Sequence, residues 1–315
     1  MDDLPQDFIQ RMLDVHGPPA RAWLANLPGL IRSLEGRWGV AIGPPFEPLS
    51  YHYVAPGIRR VGGEIVLKLA PPGVELRHEA ESLKAFQGKG AVRLLAEDID
   101  AGAMLLERVR PGWDARRLPG EQAVRTVAGV MREIHRPIET VYPFPTIQDW
   151  GHAFGDLRRR HQGGTGPLPG GVVDKAESLY AELAASMAEP VLLHGDLHHE
   201  NILSAEGDRW VAVDPQGVIG EPAYEVGAFL RNPIPEVWTW LELAKIMDRR
   251  VEVFIEELGF DRRRLIGWGY AQAVLSAIGS LEERGTSEEG WLVVAHALAQ
   301  AGTKSSGQWT VDSEQ

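Results

Sequence analysis

Residues 191–203 read Val191-Leu192-Leu193-His194-Gly195-Asp196-Leu197-His198-His199-Glu200-Asn201-Ile202-Leu203, and a second stretch reads Trp210-Val211-Ala212-Val213-Asp214-Pro215-Gln216-Gly217. In the first, an apolar strand runs into a turn at His194-Gly195-Asp196. Asn201 follows five residues after that aspartate and leads into another apolar strand. Glu206-Gly207-Asp208 has the composition of a hairpin turn and joins this strand to residues 210–213, which end at Asp214. Two carboxylates and an amide are thereby delivered to strand ends that lie close together in the chain. Phosphoryl transfer suits such a set, because it asks the protein chiefly to position an acceptor and to neutralise developing charge. One carboxylate faces the acceptor hydroxyl, while the second and a neutral oxygen hold a hard cation such as magnesium.

Upstream, Lys68 stands in Ile65-Val66-Leu67-Lys68-Leu69. Strand alternation sets Ile65, Leu67 and Leu69 on one face, Val66 and Lys68 on the other. An ammonium among such neighbours is costly unless it is paired or solvated, and a polyphosphate or a carboxylate answers that need. Glu79, on a helix expected between Pro72 and Gly88, is the candidate carboxylate, with Glu81 as the alternative. Helices are expected over residues 7–15 and 20–38, the second from Leu24, Leu27, Ile31, Leu34 and Trp38 at helical spacing. Strands are expected at 51–54, 65–69, 92–95 and 104–109, with Gly62-Gly63 as a hairpin turn.

Pro111-Gly112 marks the expected boundary between a strand-rich part, residues 1–110 preceded by helices within 1–40, and a mostly helical part, residues 111–315. In the second part Val124, Val127, Val130, Met131 and Ile134 line one helix face. Further helices are expected over 149–161 and 173–187 and from Ala223 onward, with residues 305–315 as a frayed tail.

The chain has 315 residues, no cysteine and a formal net charge of −12. The missing cysteine removes disulfides, thiolate metal sites and cysteine nucleophiles. The acidic balance disfavours nucleic acid as a partner, since phosphates are repelled, and it suits a cationic small-molecule acceptor. Met1-Asp2-Asp3-Leu4 lacks the layout of a signal peptide, and no apolar run is long enough for a membrane span, so a cytoplasmic protein with no membrane partner is expected.

His194-Gly195-Asp196 with Asn201 resembles the catalytic loop of the aminoglycoside phosphotransferases, kinase-like enzymes related to protein kinases. Asp214-Pro215-Gln216-Gly217 stands where protein kinases carry Asp-Phe-Gly. The text Gly220-Glu221-Pro222-Ala223-Tyr224-Glu225 and Arg231-Asn232-Pro233 looks like the streptomycin 6-kinase and hydroxyurea phosphotransferase branch. The resemblance implies an α+β, two-lobed protein-kinase-like fold and an ATP- and magnesium-dependent kinase of a small-molecule hydroxyl group, with streptomycin or hydroxyurea as model acceptors. It implies that Asp196 is the catalytic base or hydroxyl-orienting group, that Asn201 and Asp214 bind magnesium, and that His194 braces the loop. Lys68 and Glu79 form the phosphate-binding pair, and backbone groups of Glu107 and Val109 read the adenine edge.

One departure stands out: no Gly-x-Gly-x-x-Gly loop precedes Lys68, and residues 49–55 take its place. Two other readings remain open here. A pseudokinase would bind nucleotide without transfer, and a zinc hydrolase would use His194, Asp196, His198 and His199. Asp261, Glu282 and Glu283 are candidate acceptor-binding acids.

Overall fold

The computed structural model describes residues 4–71, 73–137, 141–286 and 289–303. The expected tail at 305–315 lies outside them, as does the side chain of Glu283.

Two helices open the chain, α1 (Gln6–His16) and α2 (Pro19–Trp38), the second stopped by Gly39 in the left-handed conformation. A five-stranded antiparallel sheet follows, formed by β1 (Val40–Ile42), β2 (Tyr53–Arg59), β3 (Glu64–Leu69), β4 (Leu94–Asp98) and β5 (Ala103–Glu107) in the order β1-β2-β3-β5-β4. Helix α3 (Val74–Phe86) connects β3 to β4. The apolar stripe of α2 decides which face of the sheet it covers. Leu24, Leu27 and Leu34 pack with Phe8 and Met12 of α1 onto Tyr53, Ala55, Leu67, Leu69 and Ala103. Lys68 pairs with Val54 and Met104 on the opposite face. Met104 there joins Leu76, Ala80 and Leu83 of α3 in a core that continues to Ala301.

Three strands are shifted from the places expected. The strand expected at 51–54 occupies Tyr53–Arg59 and runs through Pro56-Gly57, a pair that reads as a turn. Gly57 is needed there because a Cβ would lie 2.8 Å from the Ala41 carbonyl and against Ile65 and Ile42, so the strand is legible only from its neighbours. β4 takes in Glu97 and Asp98 because it is an edge strand, where charge is tolerated and discourages further pairing. β5 begins at Ala103 and stops at Glu107, two residues short of the expected end.

The rest is mostly helical: α4 (Gly120–Ile134), α5 (Ile147–Arg160), α6 (Gly170–Ala185), α7 (Val226–Leu230), α8 (Leu243–Leu258), α9 (Arg262–Arg284) and α10 (Glu289–Thr303). Two small antiparallel pairs are embedded among them, β6 (Val191–Leu193) with β9 (Val218–Gly220) and β7 (Ile202–Ala205) with β8 (Arg209–Ala212). The β7–β8 hairpin turns through Gly207 and Asp208, both at positive φ. It is stitched to the strand-rich part by Val92 N–H, which donates to the Ala212 carbonyl at 3.0 Å, and to the segment just after the expected boundary by Ser204 N–H to the Trp113 carbonyl at 2.8 Å and Gly112 N–H to the Ser204 carbonyl at 3.0 Å. No helix among the described residues is long and apolar enough to cross a membrane.

Candidate active site

The β6–α7 region brings the chemistry-bearing residues to one place. β6 delivers His194, a fully buried histidine whose Nε2–H donates to the Val213 carbonyl at 2.8 Å. Its Nδ1 accepts the Asp196 N–H at 3.2 Å. Burial holds the imidazole below its usual pKa, so both nitrogens work as a neutral clamp. Gln216 and Gly217 N–H donate to the His194 carbonyl at 2.8 and 3.1 Å, and Val213 N–H to the Asn201 carbonyl at 2.9 Å. The two loops that carry Asp196, Asn201 and Asp214 are therefore one hydrogen-bonded unit. Gly217, at φ 70°, is required: a Cβ there would collide with Ser82 of α3 and with Phe144.

Asn201 donates Nδ2–H to the Asp196 carbonyl at 2.9 Å. That bond engages the amide through its nitrogen rather than through Oδ1. Asp196 is quarter-exposed, with Oδ1 accepting from Arg231 Nη2 at 2.8 Å and Oδ2 lying 3.4 Å from His198 Nε2. Burial alone would raise its carboxyl; His198, Arg231 and His194 outweigh that and hold it well below the usual carboxylate range.

Lys68 arrives from β3. Its ammonium is 4% exposed, bonds Glu79 Oε2 at 2.6 Å, and also bonds Asp214 Oδ1 across 146 residues of chain. Burial would lower the Lys68 ammonium, but Asp214 and Glu79 keep it above its ordinary value. The Asp214 carboxyl, which burial would raise, is held at about 2 by Lys68 and His52. Burial pushes Glu79 up, and its Oε1 is buried without a partner. Both carboxylates bond the one ammonium.

The adenine-edge candidates are placed differently. Glu107 N–H donates to the Arg93 carbonyl at 3.0 Å within the sheet, and its carboxylate takes Arg93 N–H at 2.9 Å and Nε at 2.7 Å. What Glu107 has left for a base is its carbonyl. Among the described residues the Val109 N–H has no intramolecular acceptor. Two acceptor candidates are committed elsewhere: Asp261 caps α9 by accepting Arg264 N–H at 2.9 Å, and Glu282 pairs with Arg160 at 2.9 Å. A groove of about 500 Å³ between α8 and α10, lined by Leu243, Lys245, Val293 and His296, contains none of these residues.

Sequence reasoning assigned no role to Glu225 or Arg231. Glu225 is fully buried, and its two oxygens accept the N–H of His194 at 2.6 Å and of Gly195 at 2.9 Å. The signal was there, since a carboxylate inside Tyr224-Glu225-Val226-Gly227-Ala228-Phe229 must have a partner. Arg231, at the end of α7, also donates Nη1–H to Gln272 Oε1 at 2.8 Å, a bond to a helix 41 residues away that no spacing announces.

The set fits nucleotide and magnesium. Asp214 Oδ and Asn201 Oδ1 are two hard oxygen donors, the number expected of a site completed by phosphate oxygens. Beside it, Glu79 holds the shared Lys68 ammonium through Oε2 and leaves Oε1 buried without a partner. The zinc reading fares worse, because both His194 nitrogens are engaged. His198 Nδ1 accepts Glu200 N–H at 3.3 Å.

Comparison with known proteins gives the same direction. A family model described as "Aminoglycoside/hydroxyurea antibiotic resistance kinase" matches residues 50–284. The streptomycin 6-kinase of Streptomyces glaucescens is 27% identical over 285 residues, covering 89% of this chain and 92% of that one. The hydroxyurea phosphotransferase of Kitasatospora aureofaciens is 28% identical over 290 residues, covering 89% and 81%. A thermostable mutant of aminoglycoside phosphotransferase APH(4)-Ia, solved as a ternary complex with ADP and hygromycin B, superposes with a TM-score of 0.60 at 17% identity over 86% of this chain and 96% of that one, a likeness of fold.

Proposed function

Because the chain belongs to the aminoglycoside/hydroxyurea antibiotic resistance kinases and is a small-molecule phosphotransferase with a kinase-like fold, we propose that it transfers the γ-phosphate of ATP, with magnesium, to a hydroxyl of a compound such as streptomycin or hydroxyurea. The observation that carries this reading is the Lys68 ammonium joining Glu79 and Asp214 across the cleft. The lobes divide at residues 110 and 111, and the nucleotide lies between them.

Bound MgATP supplies the phosphoryl group and the divalent charge that shields it. Lys68 turns from Asp214 to phosphate oxygens while Glu79 keeps it in place. Asp214 and Asn201 Oδ1 hold magnesium, and the Val109 N–H with the Glu107 carbonyl holds the base edge. Asp196 orients the acceptor hydroxyl through Oδ2, since Oδ1 is taken by Arg231. A carboxylate held so far below its usual pKa is a weak base, so it takes the proton only as the new P–O bond forms. His194 and Glu225 keep the loop that carries it in register.

Asp196→Ala tests this. Turnover of a streptomycin or hydroxyurea acceptor is expected to fall by about three orders of magnitude or more, with ATP affinity almost unchanged, as befits a group used in the transition state. Full activity in the variant removes Asp196 from the mechanism. A wild type that binds MgATP but phosphorylates no compound across an acceptor panel supports the pseudokinase reading instead.

A further inference from the structure

Residues 49–55, which stand where a glycine-rich phosphate loop is expected, read Leu49-Ser50-Tyr51-His52-Tyr53-Val54-Ala55 and contain no glycine. We propose that His52 supplies from this loop a hydrogen bond to the β- or γ-phosphate of the nucleotide, so that a side chain does what backbone N–H groups do in a glycine-rich loop. The inference rests on the nucleotide-binding function proposed above.

Register places the ring. Tyr53 pairs with Leu69, and both are buried on the sheet face covered by α1 and α2. Val54 pairs with Lys68 on the other face. His52 stands at the bend immediately before β2, where the alternation of β2 continued back by one residue leads to the Lys68 side. The charged groups that act on it are Lys68, Asp214 and, from the end of α1, His16. Two of these three belong to the catalytic set. An imidazole carries at least one N–H donor in either charge state. Among the described residues its ring makes no hydrogen bond, which leaves the donor available to an incoming anion beside Lys68.

The loop is also held in place. Arg11 of α1 donates Nη1–H to the Leu49 carbonyl at 2.9 Å, and Phe46 N–H donates to the Val54 carbonyl at 2.9 Å. Both ends of the segment that presents His52 are thereby pinned without glycine. A glycine loop wraps phosphate by bringing backbone close, which requires the absence of side chains. A loop built from Tyr51, His52 and Tyr53 cannot approach in that way, and a donor on a side chain reaches where the backbone does not.

The test is calorimetric titration of the full chain with MgATP, MgADP and AMP, for wild type, His52→Ala and His52→Gln. Loss of one hydrogen bond to a charged phosphate predicts roughly ten- to hundredfold weaker MgATP binding by His52→Ala. AMP, which lacks both distal phosphates, should bind the variant as it binds wild type. His52→Gln retains a side-chain donor and should recover part of the loss. An unchanged melting temperature of the ligand-free variants shows that the fold is intact. Equal weakening of ATP and AMP, or no weakening, overturns the proposal while wild-type binding keeps the nucleotide function standing. A wild type that binds none of the three ligands overturns both.

Discussion

At the scale of single residues, the site runs on groups kept in unusual protonation states by what surrounds them. His194 is fully buried and neutral, with each ring nitrogen committed. His199, three per cent exposed, stacks on Phe229 at 4.0 Å and is held at about 2 by burial and by Arg250. For each, the folded pKa lies below the unfolded value of about 6.5, so below that pH the unfolded chain takes a proton that the folded one refuses. Their contribution to stability is fully present above pH 6.5 and is lost as pH falls, by about 1.4 kcal/mol per unit for each histidine. Denaturant unfolding at pH 7.5 and 5.5 should therefore show a loss of roughly 1.4 kcal/mol from His199 over and above surface effects, with His194 adding to it in the same direction. A flat profile means that these rings are charged or exposed in solution. That Asp196, Asn201 and Asp214 lie beside strand ends was legible from the strand–turn–strand text, and the roles expected of them came from the family resemblance. The partner that claims one oxygen of Asp196, Arg231, was not legible, since it reaches Asp196 through tertiary contact.

At the scale of elements, the loops that carry Asp196, Asn201 and Asp214 form one hydrogen-bonded unit braced by one carboxylate. Glu225, at the start of α7, accepts two consecutive backbone N–H groups of the loop and lies 3.3 Å from His135 Nε2 at the end of α4. His135 and His194 hold its carboxyl below the ordinary range, against the burial that would raise it. Glu225→Gln keeps the shape but turns an amide donor toward a backbone donor, and the cost is expected to be about 3 kcal/mol. Chemical denaturation measures that directly. A change within about 0.5 kcal/mol, the range of an ordinary surface substitution, means that the carboxylate does not carry the loop. The strand boundaries show where element-level reading falls short. The strand expected at 51–54 extends to Arg59 through Pro56-Gly57 because Ala41 and Ile65 on the neighbouring strands hold it, which local propensity does not register, and the strand expected at 92–95 takes in Glu97-Asp98 because an edge strand accepts charge.

At the scale of the whole molecule, the sheet has two different duties on its two faces. One is sealed by α1 and α2 through Leu24, Leu27, Leu34, Leu67 and Leu69; the other carries Lys68 into the site. Leu27→Ala, at a position 1% exposed, should destabilise the fold by about 2–5 kcal/mol. Nucleotide affinity of the remaining folded protein should stay unchanged, because the cavity opens on the face away from Lys68. A fall in affinity with intact stability reverses that assignment. The sequence by itself determined a strand-rich part followed by a mostly helical one and set Asp196, Asn201 and Asp214 beside predicted strand ends, because periodicity and turn composition are local properties of the chain, while the kinase-like fold was implied by the resemblance of that segment to a known family. Only the tertiary structure decided that Lys68 is shared between Glu79 and Asp214, that Arg231 claims one oxygen of Asp196, and that Glu225 holds the loop. Those contacts join residues 11 to 146 positions apart, and a charge finds its partner only when burial has removed the water that would otherwise have served it.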